Sequence, residues 1–155
     1  MADQETALIV GGGPGISASC ARLFAREGMR VAVAARNPDK SVLKKLAEDH
    51  GIRNYACDAG DPDDVNKLFD SVTADLGNPR LVVHNIDGRM QGIFRNPLTE
   101  ADPALVLQVL TNSAYSAFLV GQQAARRMLD NTPGEGEHRG RSEEHTSELQ
   151  SPCNL

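Results

Sequence analysis

Cysteine is scarce in this chain of 155 residues, long apolar runs are missing, and positive charge is not in excess. Cys20, Cys57 and Cys153 are odd in number, far apart and without metal-ligand spacing. That argues against a disulfide framework or a metal cluster and fits a reducing, cytoplasmic setting. No apolar run approaches the roughly 20 residues a membrane helix needs. The start, Met-Ala-Asp-Gln-Glu-Thr, carries no basic region followed by an apolar stretch, so no secretory leader is read there. A net charge of −5 argues against non-specific nucleic-acid binding. With 40% hydrophobic residues, the chain has the length and composition of one globular domain with a real core.

What is present begins with Ala7-Leu8-Ile9-Val10-Gly11-Gly12-Gly13-Pro14-Gly15-Ile16-Ser17. An apolar strand runs into a glycine-rich turn, and a helix follows. Such a turn brings backbone N–H groups close to a pyrophosphate, and the helix N-terminus adds its positive dipole end.

The alternation continues along the chain. Strands are predicted at 6–10, 30–35, 53–57 and 80–84. The first helix, about 15–27, would turn Ile16, Cys20, Leu23 and Phe24 inward. A second helix at 41–50 would bury Val42, Leu43, Leu46 and Ala47. Asp61-Pro62 caps and opens a third, with Val65, Leu68, Phe69, Val72 and Leu76 as its buried stripe. Asp102-Pro103 opens a long helix to about Leu129, whose stripe would include Val106, Val109, Leu110, Ala114, Ala117, Phe118 and Gly121. Strands separated by helices imply parallel pairing and a three-layer, doubly wound α/β sheet, predicted in the order 3-2-1-4.

Three further features fall where a dinucleotide would lie. The second strand ends Ala34-Ala35-Arg36, about 20 residues past the turn, where such folds meet the adenosine ribose. A guanidinium there suits a 2′-phosphate, so NADP(H) is expected over NAD. A solvated strand-end arginine is the plainer alternative. Asp58 follows the third strand and can accept from the adenine amino group, or serve only as a turn residue. Asn85 follows the fourth strand at the sheet's switch point.

On these residues the chain resembles the short-chain dehydrogenase/reductase family over residues 5 to 130. The family's TGxxxGIG turn is matched from Val10 to Ser17, with Val10 for the threonine and Ser17 for the last glycine. Ser17 is expected either to crowd the helix–strand contact slightly or to turn its hydroxyl to a phosphate. The family's NNAG reads His84-Asn85-Ile86-Asp87, followed at the expected spacing by Gly92-Ile93-Phe94. A carboxylate at Asp87 is unfavourable near a phosphate. The family's helix asparagine, five residues before a phenylalanine, would fall on Ser113, with Asn112 one position off.

The resemblance implies a Rossmann fold, an NADP(H) cofactor and a carbonyl or alcohol substrate. It assigns Gly11, Gly13, Gly15, Ile16, Arg36, Asp58 and Asn85 to cofactor binding. It also implies a serine after a fifth strand and a tyrosine–lysine pair in YxxxK. Tyr55 is followed four places on by Ala59 and Tyr115 by Leu119, and the only lysines are Lys40, Lys44, Lys45 and Lys67. No catalytic residue and no metal ligand is therefore assigned.

Arg141 to Ser151, RSEEHTSELQS, resembles the translation of a common sequencing-library adapter over eleven residues. Residues 141–155 are read as a non-native, disordered tail on a dinucleotide-binding domain at 1–140, truncated after its fourth strand. The cluster Glu143, Glu144, His145 and Glu148 is set aside as a metal site on that ground. The expected function is the NADP-binding part of a cytoplasmic, homo-oligomeric oxidoreductase, itself inactive, with no nucleic-acid or membrane partner. A non-catalytic nucleotide-binding or interaction module is the alternative.

Overall fold

The computed structural model describes residues 4–93, 97–132 and 138–144. Phe94 and Cys153 lie outside them, as does the tail beyond Glu144. The strands are β1 (Thr6–Val10), β2 (Arg30–Ala35), β3 (Arg53–Ala56), β4 (Pro79–His84) and β5 (Arg141–Glu144). They form one parallel sheet in the order β3-β2-β1-β4-β5.

Helices cover both faces because strand side chains alternate. On one face Ile9, Val31, Val33 and Val83 pack against α1 (Ile16–Arg26) and α2 (Ser41–His50) through Ala18, Ala21, Leu43 and Leu46. On the other, Leu8, Val10, Ala32, Ala34 and Val82 meet α3 (Pro62–Leu76) and α5 (Ser116–Leu129). The α3 stripe is the predicted one: Val65, Leu68, Phe69, Val72 and Leu76 are all buried. Its cap is as predicted too, with Asp61 Oδ1 accepting from the N–H groups of Asp63 and Asp64 at 2.8 and 3.1 Å.

Three expectations are corrected. First, the sheet does not stop at four strands. Arg141–Glu144, expected to be disordered, pair in parallel with Leu81–His84 as β5. An open strand edge offers unpaired backbone groups to any segment within reach, whatever its side chains. Second, α1 buries Ser17, Ala18 and Ala21 rather than Ile16 and Leu23, which are 41% and 42% exposed. Small residues let this helix lie close to the sheet, so the large ones are left at its flanks.

Third, the long helix is not uniform. Between α4 (Pro103–Leu110) and α5 it passes through a π-helical turn at Thr111–Tyr115. The wider turn rotates the following face. Ser116, Ala117, Leu119, Val120, Ala124 and Met128 are buried, whereas Val106, Leu107, Leu110 and Phe118 stay on the surface. By length and composition alone Pro103–Leu129 is long and apolar enough to cross a membrane. Here its second half packs on β4 and α3, and its last turn carries Arg126 and Arg127.

Candidate dinucleotide site

At the carboxyl ends of β1, β2 and β4 lies a cleft of about 590 Å³. All seven residues proposed from sequence line it: Gly11, Gly13, Gly15, Ile16, Arg36, Asp58 and Asn85. The turn is built from the backbone outward. Gly11 and Gly12 both donate to the Ala34 carbonyl, each at 2.9 Å, which ties the turn to the end of β2. Gly11 adopts φ +107°, and a Cβ there would overlap the Asn85 carbonyl. Only glycine combines that angle with that approach.

Gly13 and Gly15 are different. A Cβ at either would meet nothing within 4 Å. Protein packing does not demand glycine there, so the open space suits a bound group that would otherwise collide with a side chain. The α1 N-terminus, capped by Gly15, has no side-chain cap, unlike α3 and α4, where Asp61 and Asp102 accept from first-turn N–H groups. Its first-turn N–H groups therefore have no side-chain acceptor and favour an anion.

Arg36 stands exposed past the end of β2 and lines the cleft beside Lys40. Lys40 was not singled out from sequence. Its Nζ donates to the Gly12 carbonyl at 3.3 Å, so it bridges the start of α2 and the glycine turn. A residue five places beyond a strand end carries no local signal of reaching back to an earlier loop. Asp58 spends Oδ1 on the Gly60 N–H at 3.0 Å, the turn role weighed for it.

At the other end, Asp87 lies in a bidentate fork with Arg89. Nε and Nη2 of Arg89 donate to the two carboxylate oxygens at 2.8 and 2.7 Å. That hydrogen bonding holds the Asp87 carboxyl below its usual range. The expected clash of this carboxylate with a phosphate is thus met by a cation two residues on, and both line the cleft. Arg89 was missed because an i, i+2 pair in a loop has no periodic signature.

Asn112, not Ser113, lines the cleft with Ser116, and the π-helical turn accounts for the one-residue offset from the family spacing. Ser116 Oγ donates to the carbonyls of Asn112 and Ser113 at 2.8 and 3.0 Å. It also lies 2.9 Å from Nε2 of His84. The buried Nδ1 of the His84 ring has no hydrogen-bond partner among the described residues. Burial pushes the His84 pKa below 6.5.

Ser17 lines the cleft, but its hydroxyl is engaged within the protein. It is 1% exposed, and its Oγ donates inward to the Gly11 carbonyl at 2.6 Å. Neither tyrosine lines the cleft. Tyr55 donates to Asp75 Oδ2 at 2.8 Å, and burial, with that bond, pushes its pKa up to about 12. Tyr115 lies in the π-helical turn and is 45% exposed. Among the described residues no three His, Cys, Asp or Glu side chains gather as metal ligands.

The family model described as enoyl-(acyl carrier protein) reductase matches residues 11–136. A D-threitol dehydrogenase of Mycolicibacterium smegmatis is 28% identical over 132 residues, 83% of this chain and 49% of that protein. The human 3-oxoacyl-[acyl-carrier-protein] reductase is 30% identical over 133 residues, 84% of this chain and 54% of that protein. A Phe-to-Trp variant of actinorhodin polyketide ketoreductase, solved with NADPH, is 28% identical, with a TM-score of 0.77 over 92% of this chain and 52% of that one. The chain thus spans about half the length of the relatives it matches. With its parallel sheet and glycine turn, it belongs to the short-chain dehydrogenase/reductase family.

Proposed function

We propose that this chain is the NADP(H)-binding part of an oxidoreductase acting on a carbonyl or alcohol. The observation that carries this reading is the pair of cations, Arg36 and Lys40, on the cleft wall at the end of β2. A 2′-phosphate would lie there if the pyrophosphate lies over Gly13, Gly15 and the start of α1. The cofactor, when bound, supplies the hydride. The chain supplies the cradle, the adenosine contacts at Arg36 and Asp58, and the loop at Asn85. Binding of NADPH and NADH to the purified chain tests it. A charge-assisted bond to the 2′-phosphate predicts an NADPH preference of about 10- to 150-fold. Arg36→Ala should remove most of that preference, and equal affinities in the unaltered chain would overturn it.

The chain itself is proposed to be inactive, because no YxxxK is present to donate a proton. Carbonyl reduction by pure material above an empty-vector control would refute that. Residues 141–155 are proposed to be foreign, on their resemblance to adapter-coded sequence. Reading the same frame in the intact chromosome tests it: a serine and YxxxK downstream of Gly140 support the enzyme, and the same fifteen codons in the chromosome refute the foreign origin. The exposed apolar face of Leu107, Leu110 and Phe118 supports a homo-oligomeric parent.

A further inference from the structure

One buried hydroxyl at the glycine turn has no part in the reading above. Ser17 Oγ donates to the Gly11 carbonyl at 2.6 Å and accepts from Asn85 Nδ2 at 2.8 Å. Asn85 also donates its backbone N–H to the Val10 carbonyl at 2.8 Å. Ser17 thus links three elements: the first turn of α1, the glycine turn, and the loop after β4.

The geometry bears on one peptide unit in particular. The Gly11–Gly12 peptide presents its oxygen to Ser17 and its N–H to the Ala34 carbonyl, 2.9 Å away. A trans peptide is planar, with oxygen and hydrogen on opposite edges. Holding both edges fixes the rotation of that plane. Glycine on either side would otherwise leave it free to turn. The next peptide is held by Lys40, which donates to the Gly12 carbonyl.

We propose that Ser17 is a positioning residue for the pyrophosphate end of the cleft: by tying the Gly11 carbonyl to the Asn85 amide, it sets the path of the turn that carries Gly13 and Gly15. This rests on the dinucleotide reading. Ser17 lines the cleft, but its hydroxyl is engaged by Gly11 and Asn85, and it acts through them. Glycine at this position, the residue of the family pattern, would leave the Gly11 carbonyl and the Asn85 amide without their shared partner.

The test compares two ligands on the full chain. NADP⁺ carries both the pyrophosphate and the 2′-phosphate, whereas adenosine 2′-phosphate lacks the pyrophosphate. In Ser17→Ala and Ser17→Gly, NADP⁺ affinity should fall about three- to tenfold, the worth of a net hydrogen bond. Affinity for adenosine 2′-phosphate should stay at the unaltered value. Ser17→Ala keeps the Cβ that packs at this buried site, so it guards against a glycine variant that fails to fold. Asn85→Ala added to Ser17→Ala should cost little beyond the larger single effect, because both act through one bridge. Unchanged NADP⁺ affinity in both variants, equal weakening of the two ligands, or additive effects of Ser17→Ala and Asn85→Ala would each overturn the proposal. An unaltered chain that binds neither ligand would overturn the cofactor reading and this proposal with it.

Discussion

β4 has a parallel neighbour on each side, and the two could hardly differ more. On one side β1, Thr-Ala-Leu-Ile-Val, is at most 2% exposed along its whole length. On the other, β5 reads Arg-Ser-Glu-Glu, with Arg141 and Ser142 exposed. Both follow β4 residue by residue over its last four positions. The same ladder therefore serves two unequal strands. Backbone pairing decides where a strand lies, and apolar burial decides how much depends on it.

The comparison can be broken most forcefully from the β1 side. Leu8 is fully buried among Val82, Phe69 and their neighbours. Leu8→Ala should cost about 2–5 kcal/mol in urea unfolding, through lost transfer energy and the cavity left behind. On the β5 side, a chain ending at Gly140 should lose only about 1–3 kcal/mol, the worth of a few ladder hydrogen bonds. It should also self-associate with rising concentration by light scattering, because the edge of β4 is uncovered. If ending the chain at Gly140 costs as much as Leu8→Ala, β5 is no mere edge cover and the contrast fails.

The smallest effect sharpens the comparison at the shared end of β4. His84 is buried with its pKa below 6.5, so the folded state resists the proton that the unfolded state accepts. The unfolded chain then binds more protons as pH falls below about 6.5, and stability should decline with falling pH in that window. Above it the contribution is fully present. His84→Asn should flatten this slope when unfolding is compared at pH 7.5 and pH 5.5. An unchanged slope would point to other titrating groups. Cys57 offers a companion measurement. Burial, then the charges of Asp64, Asp58 and Asp61, push its thiol up to about 12. It should therefore react with iodoacetamide far more slowly than the partly exposed Cys20.

How much of this could be read from the chain follows the same division. The α3 stripe was legible because one unbroken 3.6-residue period feeds one buried face. The face of α5 was not, because the turn at Thr111–Tyr115 shifts the phase without any marker residue. Glycine spacing and the strand ends placed Gly11, Arg36 and Asn85 on one cleft. Lys40, Arg89 and Ser17 were not identified as partners, since each acts through a fold or loop contact that no local period encodes. β5 escaped for a plainer reason: Arg-Ser-Glu-Glu has neither the apolar run nor the alternation that marks a strand in sequence.

The carbonyl of Ala34 receives two donors from the glycine turn and lies two residues before Arg36. Under the proposed NADP(H) reading, one short stretch of chain is therefore the common mount for both grips on a long, two-ended molecule. A guest engaging one grip would find the other already at its working distance. The loss of freedom on docking is then borne largely in advance, when the protein folds, and less of it falls at the moment of capture.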